Sequence, residues 1–264
     1  MIETSGAGAH GVLADTSGAG ATTAKLDGGK VTTTHVSTAS TEFTYGLWAQ
    51  IKNEMSEATA MAVVTNGGEV STASDHGFGL YAHTKGKGGA AVAQLDGGSK
   101  VTTTGSTAHG LHATNEVGRD ASNNFITTEG QADMEVSVFD GTIETSGNYA
   151  FAAFANSIGL GASLVKMEGG TIITKGLTAP GLFAAINNTT SEAEVKAHMM
   201  ERDGKQVPSR RRVNMPMGFL RSTRAMVRQS RRWRTAASPP GVADRAGFMR
   251  WPIIPVRTTP RRRS

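Results

Sequence analysis

The chain has 264 residues, 33 of them Gly and only 6% aromatic, with a net charge of +5 and no cysteine, which excludes disulfides and thiolate metal sites. No stretch approaches the roughly eighteen apolar residues of a membrane-spanning helix, so no transmembrane segment is expected. The opening residues MIETSGAGAHG have neither the basic nor the apolar region of a secretory leader, so these residues by themselves would stay in the cytoplasm.

The charge is divided between two compositions. Residues 1–197 carry ten Lys and Arg against nineteen Asp and Glu, a net of −9, with nine of the ten bases Lys. Residues 198–264 carry seventeen against three, a net of +14, with sixteen of the bases Arg and seven of the chain's eight prolines. This sets the expected boundary: a repeat region over 1–197 and a disordered basic tail over 198–264.

In chain order, six segments lie over one another: Ile2–Ala14, Val31–Ala49, Val70–Ala82, Val101–Ala113, Ile143–Ala155 and Ile172–Ala184. In five of them the closing Ala follows the opening Val or Ile by twelve positions; Val31–Ala49 holds six extra residues. The starts are 29, 39, 31, 42 and 29 residues apart, so the unit is about 30 residues long with insertions. Between the segments recur short runs ending in an acid or Asn followed by Gly, such as ATTAKLDGG (21–29), AAVAQLDGG (90–98) and MEVSVFDG (134–141). Met134, Val136 and Val138 alternate with Glu135 and Ser137, the period of a strand, and the Asp–Gly close tolerates the positive φ of a tight turn.

Each unit thus offers three short extended pieces. Helix is disfavoured by the density of Thr, Val and Gly and by the lack of helical periodicity. One unit has too few large apolar side chains for a core of its own, so it must stack on its neighbours. The expected fold is all-β, a right-handed parallel β-helix of about six coils, roughly 29 Å long at a strand spacing of about 4.8 Å. Alternation within a unit points Val101, Thr103, Leu111 and Ala113 inward, and Thr102, Thr104 and His112 outward.

The succession Asp–Gly–Gly, Val–Thr–Thr–Thr and Gly–Leu–X–Ala, best seen in residues 95–113 and 167–184, resembles the pertactin-like passenger domains of bacterial autotransporters. The resemblance covers about three quarters of the chain. It implies a right-handed β-helix at the cell surface, exported through a barrel made by the same polypeptide, in proteins that are often adhesins or virulence factors. The chain has neither a secretory leader nor the alternating ten-residue strands of a barrel, and its first residues fall inside a repeat. It therefore reads as a fragment of a longer passenger.

The tail admits two readings. Its arginines, with Trp233 and Trp251, could bind nucleic acid or an anionic membrane. The abrupt loss of the repeat and the near-total use of Arg favour out-of-frame translation, with no specific nucleic-acid partner and at most a frayed helix around Met217–Arg234.

Catalytic chemistry is thin, and no catalytic residue, cofactor or metal is expected. Of His10, His35, His76, His83, His109 and His112, the pair His10 and His109 share one repeat position and read as structural. Asp27, Asp96, Asp140 and Glu168, with Asn66 equivalent, read as turn residues more than as a cation stack. A polysaccharide-active enzyme would need clustered carboxylates, and Arg119 beside Asp120 in the insertion Thr114–Asp133 suggests no such cluster. The residue before each closing Ala is Leu13, Trp48, Tyr81, His112, Phe154 and Phe183. These would form an outward bulky ladder, either a strip for a host surface protein or glycan or a stack that steadies the coils. The expected function is adhesin-like binding without catalysis; a carbohydrate-active enzyme or a non-functional frameshifted remnant are the alternatives.

Overall fold

A computed structural model describes residues 1–36, 43–116 and 130–200. The expected tail beyond residue 200, with its helix at Met217–Arg234, lies outside the described residues, as do Arg119 and Asp120.

Each coil contributes three strands. The first two coils supply β1 (Ile2–Thr4), β2 (Val12–Thr16), β3 (Thr22–Asp27), β4 (Lys30–Thr33), β5 (Leu47–Ile51) and β6 (Ala60–Thr65). The middle coils supply β7 (Glu69–Thr72), β8 (Leu80–Thr84), β9 (Ala90–Leu95), β10 (Ser99–Thr103), β11 (Leu111–Asn115) and β12 (Asp133–Val138). The last two supply β13 (Gly141–Thr145), β14 (Ala153–Ser157), β15 (Ser163–Met167), β16 (Thr171–Thr174), β17 (Leu182–Ile186) and β18 (Val195–Met199).

Every third strand pairs in parallel, giving three six-stranded sheets: β1-β4-β7-β10-β13-β16, β2-β5-β8-β11-β14-β17, and β3-β6-β9-β12-β15-β18. This is the right-handed parallel β-helix of six coils that the repeat predicts, with no helix among the described residues. The last strand runs past residue 197 to Met199.

The repeat positions coincide with the register. Val31 pairs with Val70, Val70 with Val101, Val101 with Ile143 and Ile143 with Ile172. Insertions leave this undisturbed: Val12 pairs with Leu47 across the six extra residues of the second coil. Val101, Thr103, Leu111 and Ala113 are fully buried, as alternation requires, and Thr104 is exposed. The core is three stacked ladders: the Val/Ile column, the column Leu47, Leu80 and Leu111, and an Ala-rich column from the third sheet including Ala62 and Ala93. Each buried Leu contributes about 1.5–3 kcal/mol, and the Ala column keeps the interior narrow.

Corners between the first and second sheets repeat one device. The residue six positions after the opening Val or Ile is left-handed in five coils: Gly8, His76, Thr107, Tyr149 and Thr178, with φ between 50° and 65°. The inward Thr at the end of the first-sheet strand donates across this corner to a carbonyl five residues on: Thr72 to Gly77 at 2.7 Å, Thr103 to Ala108 at 2.6 Å and Thr145 to Ala150 at 3.0 Å. Thr33, in the coil with six extra residues, buries its hydroxyl with no partner.

After the corner comes a Gly whose place is dictated by the next coil. A Cβ on Gly79 would lie 2.3 Å from Val101 Cγ1 and 2.6 Å from the Gly110 carbonyl oxygen. This close approach lets successive second-sheet strands begin in register.

Candidate binding face

The outer face of the second sheet carries the bulky ladder. Trp48 pairs with Tyr81, Tyr81 with His112, His112 with Phe154 and Phe154 with Phe183, each on the adjacent strand. Their rings lie near one another: Tyr81–His112 at 5.3 Å, His112–Phe154 at 4.8 Å and Phe154–Phe183 at 5.3 Å between centroids. Exposure is uneven. Leu13 is 51% and Phe183 37% exposed at the two ends, whereas Trp48, Tyr81 and Phe154 are half-buried and His112 is 8% exposed.

A second column, which the alternation of the strands did not predict, runs beside the first. It consists of His10, Tyr45, Phe78 and His109, each just before the repeat glycine, and Phe151, which precedes Ala152 at the same repeat position. Neighbours in it stack nearly parallel: His10–Tyr45 at 5.0 Å and 9°, Phe78–His109 at 5.0 Å and 13°, His109–Phe151 at 4.8 Å and 17°. Between the columns the rings meet edge to face, as in Phe78–His112 at 4.8 Å and 74° and Phe151–Phe154 at 5.1 Å and 83°. Both geometries suit the ring quadrupole, and each is worth about 0.5–1.5 kcal/mol beyond burial.

The two column histidines hold the backbone. His10 Nδ1 accepts from the Tyr45 N–H at 3.2 Å, and His109 Nδ1 accepts from the Phe151 N–H at 3.0 Å. Only a neutral imidazole can accept there. Burial lowers the pKa of His10, and takes His109 down to about 3 with a smaller push from His76. His112 is also pushed well below its ordinary value, chiefly by burial, and both its ring nitrogens are buried without a hydrogen-bond partner. Burial raises the hydroxyl pKa of Tyr45 and Tyr81.

Beside the ladder lies a polar chain. Gln50 Nε2 is 3.0 Å from His83 Nδ1, His83 Nε2 is 3.5 Å from Glu116 Oε2, and Lys85 Nζ is 3.2 Å from the same carboxylate oxygen. The hydrogen bond from His83, with Lys85 adding to it, holds the Glu116 carboxyl down at about 2. Both ring nitrogens of His83 are engaged, so this chain fixes Glu116 in place.

Two of the acidic turn positions bond to turn residues. Asp27 accepts from Thr65 at 3.0 Å and from the Asn66 amide, and Asp96 accepts from the Gly97 N–H at 2.7 Å. Among the described residues, no group of three or more His, Asp or Glu is placed to hold a metal ion. Among them, too, no helix is long and apolar enough to cross a membrane.

No known protein family, curated protein or solved structure matches the chain.

Proposed function

We propose that the chain is a piece of a bacterial autotransporter passenger, displayed at the cell surface in its parent protein, that binds a host surface protein or glycan and catalyses no reaction. The observation that carries this reading is the ladder on the second sheet, in which Leu13 and Phe183 are exposed and Trp48, Tyr81 and Phe154 half-buried over a buried base of Tyr45, Phe78, His109 and His112. Aligned aromatic side chains make good anchors for a partner. Ring faces in the strip are turned on one another, so mainly ring edges remain for a partner. Edges suit the side chains of a protein better than a sugar ring, which packs on a free aromatic face.

The test is binding of the full chain to arrays of extracellular-matrix proteins and glycans, beside a Trp48→Gln/Phe154→Gln variant checked for an unchanged β-sheet spectrum. The expected result is a protein ligand whose affinity falls at least tenfold in the variant. Equal binding by both proteins, or turnover of a polysaccharide, would overturn the reading.

A further inference from the structure

We infer that Asn66 is a site of spontaneous covalent modification, converted to aspartate and isoaspartate through its bond to Gly67 when the joint to the following coil opens. The inference does not depend on the proposed function.

The site follows from the turn that joins β6 to β7. Asn66 and Gly67 both have positive φ, 55° and 72°, and the Gly68 N–H closes the turn on the Thr65 carbonyl at 3.1 Å. Two consecutive left-handed residues suit Asn–Gly, since Gly has no Cβ and Asn tolerates this region. The same pair is the most reactive that an asparagine can form, because no side chain on the following residue shields its nitrogen. Of the chain's ten asparagines only Asn66 precedes Gly, and both residues are exposed.

The reaction needs water alone. The Gly67 nitrogen gives up its proton and attacks Asn66 Cγ, closing a succinimide ring. The side-chain nitrogen leaves as ammonia, taking that proton with it. Water then opens the ring at either carbonyl. One product is aspartate; the other is isoaspartate, with the main chain rerouted through the side-chain carbon.

The stacked turns hold both reacting groups. On one side the Gly67 N–H donates to the Gly97 carbonyl of the following turn at 2.8 Å, which fixes the attacking nitrogen and occupies its proton. On the other side the Asn66 side-chain amide donates to Asp27 Oδ1 of the preceding turn, which also accepts from Thr65 Oγ1 at 3.0 Å. Attack therefore waits on local opening of the joint to the following coil. The product cannot restore the grip on the other side. Aspartate has no amide to donate, and it sets a carboxylate against Asp27, whose own carboxyl is held below its ordinary value by bonds from Lys25, Asn66 and Thr65. Like charges repel at this distance, so conversion follows the opening of one joint and loosens its neighbour.

The full chain is incubated at pH 8 beside a peptide of residues 61–71, and aspartate and isoaspartate at Asn66 are followed by peptide mapping and mass spectrometry. The expected rate in the chain is at least tenfold below that in the peptide. It should rise as denaturant, kept below the unfolding transition, quickens hydrogen exchange at the Gly67 amide. Gly97→Ala supplies a second measurement. At the Gly97 φ of 64° a Cβ would lie 2.7 Å from the Asn66 nitrogen, so this variant should convert several-fold faster with its β-sheet spectrum unchanged. Conversion as fast in the folded chain as in the peptide overturns the inference. So does a rate that stays flat while Gly67 exchange quickens, or a folded Gly97→Ala chain that converts no faster. Where Gly97→Ala fails to fold, the denaturant series decides alone.

Discussion

The Nδ1 atom of His109 accepts the backbone N–H of Phe151 at 3.0 Å, tying the fourth coil to the fifth from inside an aromatic stack. Protonation would turn this acceptor into a donor facing a donor. Because burial lowers the folded pKa of His109 to about 3, the unfolded chain takes up a proton near its ordinary 6.5 while the folded chain does not. The stability held by the neutral ring is complete above pH 6.5 and is lost as pH falls from there towards 3. His10 and His112 shift in the same direction. We predict that Tm falls between pH 6.5 and 4.5, a window above the carboxylate range. A His109→Phe variant should be less stable at pH 8 by about 1–2 kcal/mol for the lost acceptor. His112→Phe should offset part of this by removing two buried nitrogens that have no partner, and the double variant should show a flatter Tm profile over that window. An unchanged slope would remove the histidines as its cause.

Thr33 and Thr103 occupy one repeat position and should answer oppositely to the same substitution. Thr103→Val removes the 2.6 Å bond to the Ala108 carbonyl and leaves that carbonyl without its side-chain donor, at a cost of about 1–2 kcal/mol. Thr33→Val deletes a buried hydroxyl that has no partner and should raise stability by up to about 1 kcal/mol. Denaturant unfolding of both variants checks this; destabilisation of equal size in the two would contradict it.

Gly79 and Gly181 also share a repeat position, and the next coil separates them. A Cβ at Gly79 meets Val101 at 2.3 Å and a backbone oxygen at 2.6 Å, so Gly79→Ala should cost about 2–3 kcal/mol. At Gly181 the nearest atom is Ile172 Cγ2 at 3.4 Å. Gly181→Ala, measured in dilute protein, should change stability by no more than about 0.5 kcal/mol. Thermal melts of the two proteins side by side decide the matter.

Asn115 is a buried polar hub at the end of β11. Its amide donates to the carbonyls of Gly130 and Ala132 and to Ser157 Oγ, at 3.2, 3.3 and 3.2 Å. Its oxygen accepts from the Ile158 and Gly159 N–H groups at 2.6 and 3.3 Å. We predict that Asn115→Leu costs about 3 kcal/mol or more, since two backbone donors and three acceptors lose their partner together. Hydrogen exchange should quicken first at Ile158 and Gly159. Protection left intact at those amides would show that the hub is dispensable.

The coils were legible in the sequence because strand alternation and the repeat act on the same residues. Val101, Thr103, Leu111 and Ala113 follow a period of two and recur from unit to unit, and each is inward. The column of Tyr45, Phe78 and Phe151 was not legible by the same rule. These residues sit at a corner where alternation has no meaning, and the overlaid units carry an aromatic or imidazole ring there in five copies and Pro180 in the sixth. The shared position of His10 and His109 was the visible trace of that column. The depth of His112 was hidden for a different reason: alternation says which side of a sheet a residue leaves from, not what its neighbours cover. Asn115 stands where other coils place Thr84 or Ser157, and nothing in its own sequence context marks the five bonds it makes.

Each strand in the stack pairs only with the same strand of the coils before and after it. Among the described residues no hydrogen bond spans more than one joint between coils, so a load pulling the two ends apart can open the joints one at a time. Extension should proceed as a staircase, each step releasing a unit of about 30 residues and roughly 100 Å of slack chain. A protein built this way would yield gradually under load, lengthening in increments while the remaining coils stay folded.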